Sequence, residues 1–197
     1  MRIHLTGLVF SLGSLALGAC GDAGRRDSAP IEERPRAVPD SPAATAPAGD
    51  QATATLLDAA GNELGMLTLA QSGESITVSG RLTGLPAGEH AIHVHTVGLC
   101  EAPKFESAGD HWNPTKRQHG KDSPQGPHQG DLPNITVAQG HSVAVQATTA
   151  GGTLKGTNAL LDIDGAAVVV HAKPDDYKTQ PSGNAGDRIA CGVVNGG

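Results

Sequence analysis

Short segments of alternating polar and apolar residues are the feature that most constrains how this 197-residue chain can fold. The clearest is 75–82, Ser-Ile-Thr-Val-Ser-Gly-Arg-Leu, whose alternation is typical of a strand with one buried face. Similar or Val-rich segments recur near 51–58, 63–71, 91–97, 141–148, 159–163, 166–171 and 188–194, with Gly, Asn and Asp between them. No segment has a convincing helical period. We therefore predict an all-β domain, with seven or eight strands in an antiparallel sandwich or barrel.

The composition indicates which residue types form the core and which class of partner can be excluded. Aromatic residues make up 2% of the chain, so the core must be built from Val, Ile, Leu and Ala. The chain has 14 Lys and Arg against 20 Asp and Glu, a formal net charge of −6. Phosphate binding needs clustered basic side chains, so this balance argues against a nucleic-acid partner.

The N-terminus has the layout of a secretory signal. Arg2 is the only charge before Asp22, and the stretch 3–18 is mostly apolar. Residues 17–20, Leu-Gly-Ala-Cys, resemble the bacterial lipoprotein box. This resemblance implies that residues 1–19 are removed and that the cysteine is then acylated.

Acylation of Cys20 would anchor the protein in a membrane, because several acyl chains together bind stably where a single chain binds only weakly. An Asp after the cysteine would favour the inner membrane, whereas this chain has Gly21, which favours the outer membrane. An ordinary signal peptide with an incidental cysteine is the alternative. Removal of residues 1–19 takes away one positive charge, leaving 13 basic and 20 acidic residues and a net charge of −7.

A linker is predicted between the lipidated cysteine and the domain. Residues 20–50 contain five Pro, many Ala and mixed charge, and Ile31 and Val38 are their only large aliphatic residues. Such a composition buries too little apolar surface to fold, so we predict a disordered, partly extended segment that gives the domain reach. The periodic segments begin at residue 51, which predicts one domain over 51–197.

One long segment, 98–140, interrupts the strand pattern. It is rich in Gly, Pro, His and charge, and a loop of this length in a compact domain is normally functional or disordered. It contains His111, His119, His128 and Asp131, and three imidazoles with one carboxylate suit a closed tetrahedral zinc site. A loop that is merely rich in histidine is the alternative for this set taken alone.

Three further histidines lie in predicted strands. His93 and His95 are two residues apart, so both imidazoles lie on one sheet face and can bind the same ion. His171 ends the Val-rich run 166–171. Taken alone, the pair could be surface residues and His171 could simply end its strand. Together with the loop residues they form a pattern that chance would rarely produce.

These residues lie in stretches that resemble copper/zinc superoxide dismutase over the whole predicted domain. The stretches are 93–95 (His-Val-His), 109–114 (Gly-Asp-His-Trp-Asn-Pro), 119–120 (His-Gly), 128–132 (His-Gln-Gly-Asp-Leu), 171–176 (His-Ala-Lys-Pro-Asp-Asp) and 183–193 (Gly-Asn-Ala-Gly-Asp-Arg-Ile-Ala-Cys-Gly-Val). The resemblance implies an eight-stranded antiparallel Greek-key sandwich or barrel with a long metal-binding loop.

The resemblance also implies one copper and one zinc ion per subunit. The implied copper ligands are His93, His95, His111 and His171. The implied zinc ligands are His111, His119, His128 and Asp131, with His111 shared as a bridging imidazolate. The implied supporting residues are Asp175, joining the free edges of His93 and His119; the disulfide pair Cys100 and Cys191; Arg188, which positions superoxide; and Lys173, which adds to its attraction.

The chemistry of the two ions agrees with these implied ligands. Several imidazoles suit Cu(II), whereas a tetrahedron of three His and one Asp suits Zn(II). Copper can alternate between +1 and +2, as the dismutation of superoxide to oxygen and hydrogen peroxide requires, while zinc fixes geometry and charge. In the family, the counterpart of His111 releases copper on reduction, takes a proton and returns it to the product. Bridging two cations lets this imidazole lose its second proton at neutral pH.

We therefore expect a superoxide dismutase of the periplasm or cell envelope that defends against extracytoplasmic superoxide, and a disulfide fits that oxidising compartment. Asp187, beside Arg188, and Pro181, where many family members carry a Lys, are expected to weaken attraction of the anion. One rival is a periplasmic copper- and zinc-binding protein without turnover on the same fold. A zinc hydrolase would need a general base, and no Glu is placed for that role. Whether the protein is a monomer or a homodimer is left open.

Overall fold

The computed structural model describes residues 50–140 and 142–197. The predicted signal peptide, Cys20 and all of the predicted linker except Asp50 lie outside the described residues. The described residues fall within one unit, 44–197. Within them, no helix combines the length and apolarity needed to cross a bilayer.

Nine antiparallel strands form the described fold, in two sheets. They are β1 (Gln51–Asp58), β2 (Glu63–Ser72), β3 (Ser75–Leu82), β4 (Gly88–His90), β5 (Ile92–His95), β6 (Ile135–Val137), β7 (Val143–Thr148), β8 (Ala167–His171) and β9 (Arg188–Gly196). The larger sheet has the order β5-β8-β9-β1-β2-β3-β7, and β4 pairs with β6. The last strand therefore lies beside the first, and the predicted all-β class is confirmed.

Alternation explains why these segments pair as they do. In β1, Ala52, Ala54 and Leu56 are buried while the threonines between them are exposed. A shift of one residue would exchange the buried and exposed faces, so burial of one face sets the register. The core that results is aliphatic, as predicted. Among the described residues, Trp112 is the only aromatic side chain in its main buried cluster.

The strand predictions fail in two places. Residues 159–163 form a loop instead of a strand, because Leu160 and Leu161 donate their backbone N–H groups to Thr153 and Leu154 across a local turn. The short strands β4 and β6 were not predicted separately, since three residues are too few to display an alternation. With one predicted strand lost and these two gained, the described residues contain nine strands where eight were expected.

The predicted disulfide between Cys100 and Cys191 is present and links the long loop to β9 across 91 residues of sequence. Phe105 and Ala108 pack with Val169 and Cys191 in a second small buried cluster, against which Cys100 also lies. The start of the long loop is therefore held against β8 and β9 by a covalent bond and by apolar packing.

Replacing both cysteines, Cys100→Ser with Cys191→Ser, should lower the free energy of unfolding by about 4–5 kcal/mol. The physical reason is the entropy that the unfolded chain regains when a loop of this length is opened. Urea unfolding of the metal-free protein and of this double variant measures the difference. A loss below about 1 kcal/mol would contradict the loop-entropy account.

Candidate metal centre

Strand β5 places two histidines on one side of the sheet. His93 and His95 are fully buried, and the alternate residues Ile92 and Val94 pack into the main core. The predicted shared face is therefore present. Both imidazoles contribute ring nitrogens to one group of closely spaced potential ligands.

The free edge of β5 positions the loop residues. β5 is an edge strand of the larger sheet, and isolated antiparallel bridges pair His95 with His111 and His93 with Asp131. The backbone of Val94 donates to Gly130 O at 2.9 Å and accepts from Trp112 N at 2.8 Å. These bonds bring two distant loop segments into register with the strand histidines.

His171 reaches the same group from the end of β8. The register between β8 and β9 shifts between Val170 and His171, so that His171 is paired with Arg188. Irregularities of this kind commonly re-aim a side chain beside a functional site. The imidazole of His171 lies close to the other two, with its ring centroid 4.9 Å from that of His93 and 5.8 Å from that of His95.

The first cluster is defined by four buried ring nitrogens that have no hydrogen-bond partner. They are His93 Nδ1, His95 Nε2, His111 Nε2 and His171 Nε2. The four lie within 4.8 Å of one another. Buried polar atoms are almost always paired, so four converging lone pairs indicate a cation-binding site whose all-imidazole donors suit Cu(II).

The other ring nitrogens set the direction of each lone pair. His93 Nε2 lies 3.0 Å from Asp175 Oδ2, and His95 Nδ1 lies 2.9 Å from Gly109 O. His171 Nδ1 lies 3.3 Å from Gly186 O. Each of these nitrogens faces an acceptor and so carries the proton, which leaves the opposite nitrogen free as a ligand.

The second cluster surrounds one oxygen of a buried carboxylate. Asp131 Oδ1 lies 2.9 Å from His111 Nδ1, 3.1 Å from His119 Nδ1 and 3.2 Å from His128 Nδ1. Ligand atoms around tetrahedral zinc are separated by about 3.3 Å, given bonds near 2.0 Å. Three imidazoles and one carboxylate oxygen at these separations fit zinc.

His111 belongs to both clusters. Its Nε2 is one of the four unpartnered nitrogens, and its Nδ1 faces Asp131. This is the position expected of a bridging imidazole.

Asp175 links the two clusters from behind. Its Oδ2 contacts His93 Nε2, and its Oδ1 contacts His119 Nε2 at 2.9 Å. A Cβ at Gly183 would overlap Asp175 Oδ1 and approach His119 Nε2, and this glycine has a φ of +65°. Only glycine allows the backbone so close to the linking carboxylate.

Two supporting residues were not identified from the sequence. Asn134 clamps the backbone of Asp175, accepting from its N–H and donating to its C=O, both at 2.9 Å. His90 is buried, with its ring 2.8 Å from the carbonyl oxygen of His171. Both act through backbone groups of distant residues, for which a sequence carries no local pattern.

Burial governs the protonation of the first cluster. It lowers the pKa of His95 well below its usual range, that of His111 to about 4 and that of His171 to about 3. These imidazoles are therefore neutral near pH 7, as metal ligation requires.

The carboxylates reverse the effect of burial elsewhere. Although burial opposes it, contacts with Asp131 and Asp175 raise the pKa of His119 to about 9. Burial would raise the pKa of Asp131, but contacts with the histidines hold it well below its usual range. The pKa of Asp175 is low for the same reason, since burial is outweighed by His119 and His93.

Arg188 lies at the wall of an open cleft of about 1000 Å³ that leads to the first cluster. The guanidinium donates to Phe105 O and Gly109 O, each at 2.7 Å. Gly109 O also faces His95 Nδ1, so one carbonyl ties Arg188 to a cluster histidine. Lys173 is exposed, and its side chain lies against Gly186, one of the residues that line the cleft.

Comparison with known proteins identifies the family. The family described as copper/zinc superoxide dismutase (SODC) matches residues 64–194. Copper/zinc superoxide dismutase 1 of Aquifex aeolicus is 42% identical over 144 residues, covering 72% of this chain and 85% of that protein. The enzyme of Caulobacter vibrioides is 41% identical over 147 residues, covering 73% and 84%. The solved structure of a SOD-like protein from Bacillus subtilis has a TM-score of 0.67 and 36% identity, covering 72% of this chain and 96% of that one.

The curled antiparallel sheet and the paired histidine clusters define a β-domain built to hold two metal ions. The chain belongs to the copper/zinc superoxide dismutase family. The predicted class of enzyme, a superoxide dismutase of the copper/zinc type, is confirmed, and superoxide is the substrate that follows from it.

Asp175→Asn should lower the affinity of the second cluster for zinc by about ten- to a hundredfold, because one acceptor of the linking pair is lost. Asn134→Ala should act in the same direction but more weakly, because it loosens only the backbone that carries the carboxylate. Competition with a chelator measures the affinity, and the absorption spectrum of Co(II) in place of zinc reports ligand geometry. Unchanged affinity and spectrum in Asp175→Asn would contradict this role.

The metal-free protein should lose stability as the pH falls from about 6.5 to about 4. Free imidazoles titrate near 6.5, so in this window the unfolded chain binds protons that folded His111 and His171 cannot accept. His119 acts oppositely: its raised pKa adds stability that is lost between about 6.5 and 9, outside this window. Urea midpoints across the acid range test the sign, and His171→Asn should flatten the slope. A midpoint independent of pH would contradict it.

Proposed function

We propose that this protein dismutates superoxide to oxygen and hydrogen peroxide at a copper centre that His111 bridges to a structural zinc. The observation that carries the proposal is the placement of His111, whose two ring nitrogens face two different sets of buried ligands. Such an arrangement holds two cations on opposite edges of one imidazole.

The described side chains divide between the two ions. The proposed copper ligands are His93, His95, His111 and His171, and the proposed zinc ligands are His111, His119, His128 and Asp131. When bound, copper supplies one-electron redox chemistry and zinc supplies a fixed charge. One of each per subunit follows from the two clusters.

Arg188 would receive and orient the anion. A guanidinium has five N–H donors, and two of its nitrogens bond to Phe105 O and Gly109 O. These bonds fix the plane of the group at the cleft wall and leave donors for superoxide. Because Gly109 O also faces His95, the position of the anion is coupled to the first cluster.

His111 would manage the proton of the reaction. His111 lines the cleft, and its Nε2 lies among the converging nitrogens. This atom is therefore placed to hold a proton and to return it to the product. Asp175 would keep the rings of His93 and His119 in place throughout the cycle.

The proposed location is the periplasm or cell envelope, with the mature chain anchored by lipid on Cys20 and the outer membrane favoured. The signal-like residues 1–19 and the lipoprotein-like box support this, and the disulfide agrees with an oxidising compartment. The enzyme would then remove superoxide outside the cytoplasm. All proposed ligands come from one chain, so a homodimer is not needed to complete the site.

The second candidate is a copper- and zinc-binding protein without turnover. The likeness to a SOD-like protein from Bacillus subtilis is the observation in its favour. Against it stand the full set of four converging nitrogens and the fixed position of Arg188 in the cleft. A carrier needs no oriented anion site.

The deciding experiment follows superoxide decay by pulse radiolysis with the mature chain loaded with copper and zinc. We expect fast decay that is absent from the metal-free protein and from His95→Ala, which loses one converging nitrogen. Arg188→Ala should retain both metals and slow the decay by about tenfold or more, since it removes the oriented N–H donors that position the substrate beside the first cluster. Tight binding of both metals without decay above that in buffer would instead establish the carrier.

A further inference from the structure

The charges that line the cleft are unusual for a site that takes an anion. Two basic side chains, Lys104 and Arg188, share its walls with three carboxylates, Glu106, Asp110 and Asp187. Pro181 and Ser182 also line the cleft and carry no charge. Lys173 does not line the cleft, but its side chain lies against Gly186, which does.

The basic side chains are opposed locally. Lys104 lies 3.8 Å from Glu106, with both side chains largely exposed. Glu106 and Asp110 both act on the guanidinium of Arg188, where they oppose the lowering of its pKa by burial. Asp187 precedes Arg188 directly and lines the same cleft. Each of the two basic side chains that line the cleft, Lys104 and Arg188, therefore has at least one carboxylate close to it.

The cleft nevertheless borders the proposed metal ligands. His111 and His171 line it, both are more than nine-tenths buried, and their Nε2 atoms have no partner. A small anion in the cleft would therefore lie beside two residues of this cluster. The carboxylates thus lie on the path of the substrate that the proposed function requires.

We propose that Glu106, Asp110 and Asp187 cancel the attraction of Arg188 and Lys104 for anions, so that this cleft admits small anions without long-range electrostatic capture. The inference rests on the proposed function, because it concerns access to the copper site. Any electrostatic attraction of anions that extends beyond the cleft weakens as ionic strength rises, because salt screens it. A cleft with cancelled charges should show little dependence on ionic strength.

The test uses azide, a small monovalent anion, as the probe. The mature chain carrying copper and zinc is titrated with azide at ionic strengths of about 0.01 and 0.3 M, which span long and short screening lengths. The charge-transfer absorption of Cu(II) gives the Kd without any turnover. For the wild type we expect the Kd to differ by less than about twofold between the two conditions.

Removing the carboxylates should restore capture. Asp187→Asn should lower the azide Kd by about two- to fourfold at low ionic strength, and Asp187→Asn with Asp110→Asn by about tenfold. Both gains should disappear at high ionic strength. Glu106→Gln, on another part of the wall, provides an independent variant in case Asp187→Asn folds poorly.

Glu74→Gln is the matched control. Glu74 is exposed and lies in the turn between β2 and β3, whereas β9 begins beside the opposite end of β1 and β2. Those ends are about 30 Å apart at the rise of a β-strand. This variant removes the same charge and should leave the azide Kd unchanged.

Two results would overturn the inference. One is a wild-type Kd that rises severalfold with salt, and the other is a low-salt Kd that no cleft carboxylate alters. Superoxide decay measured on the same samples separates this failure from failure of the proposed function. Azide Kd values that respond as expected in protein without dismutation support the inference about anion entry and reject the enzyme. Dismutation with unresponsive azide binding does the reverse.

Discussion

Backbone pairing along the free edge of β5 is the interaction on which the site depends. His111 and Asp131 are far from the strand histidines along the chain, and this pairing is what brings them close in space. The bonds of Val94 to Gly130 and Trp112 convert that separation into strand-like register. The disulfide and the small cluster around Phe105 hold the same loop at its start. The metal ligands are therefore placed by sheet geometry, which is more precise than that of a free loop.

Burial of so many polar groups requires compensation, and two carboxylates provide most of it. Asp131 collects the three imidazoles of the second cluster, and Asp175 fixes the rings of His93 and His119. Among the buried atoms that still lack a partner are the four nitrogens of the first cluster, which lie close together. Leaving such atoms unpaired in a protein interior is costly, and a bound metal ion would satisfy them. Stability and function are coupled here through the same atoms.

The family relationship concerns the fold and the class of enzyme, whereas the cleft charges concern how the substrate reaches the metal centre. The family match and the sequence identity place the chain among copper/zinc superoxide dismutases. Apart from Arg188 in β9, the charged side chains at the cleft wall lie outside the strands, where sequence changes are tolerated more readily than in a packed core. Three carboxylates beside Arg188 are thus compatible with an intact metal centre. The chemistry of the centre and the delivery of its substrate are separate properties of this molecule.

The sequence by itself determined the strand-forming segments, the buried aliphatic face and the residue types of both clusters, because alternation and ligand chemistry are local properties. It was wrong for 159–163, where a local turn competes with a strand, and it did not separate the three-residue strands. The tertiary structure alone decided that Asn134 clamps Asp175, that Gly109 O joins His95 to Arg188, and which charges face the cleft. These contacts join residues far apart in the chain through backbone groups that every residue possesses. A pattern of side chains in the sequence therefore cannot predict these contacts.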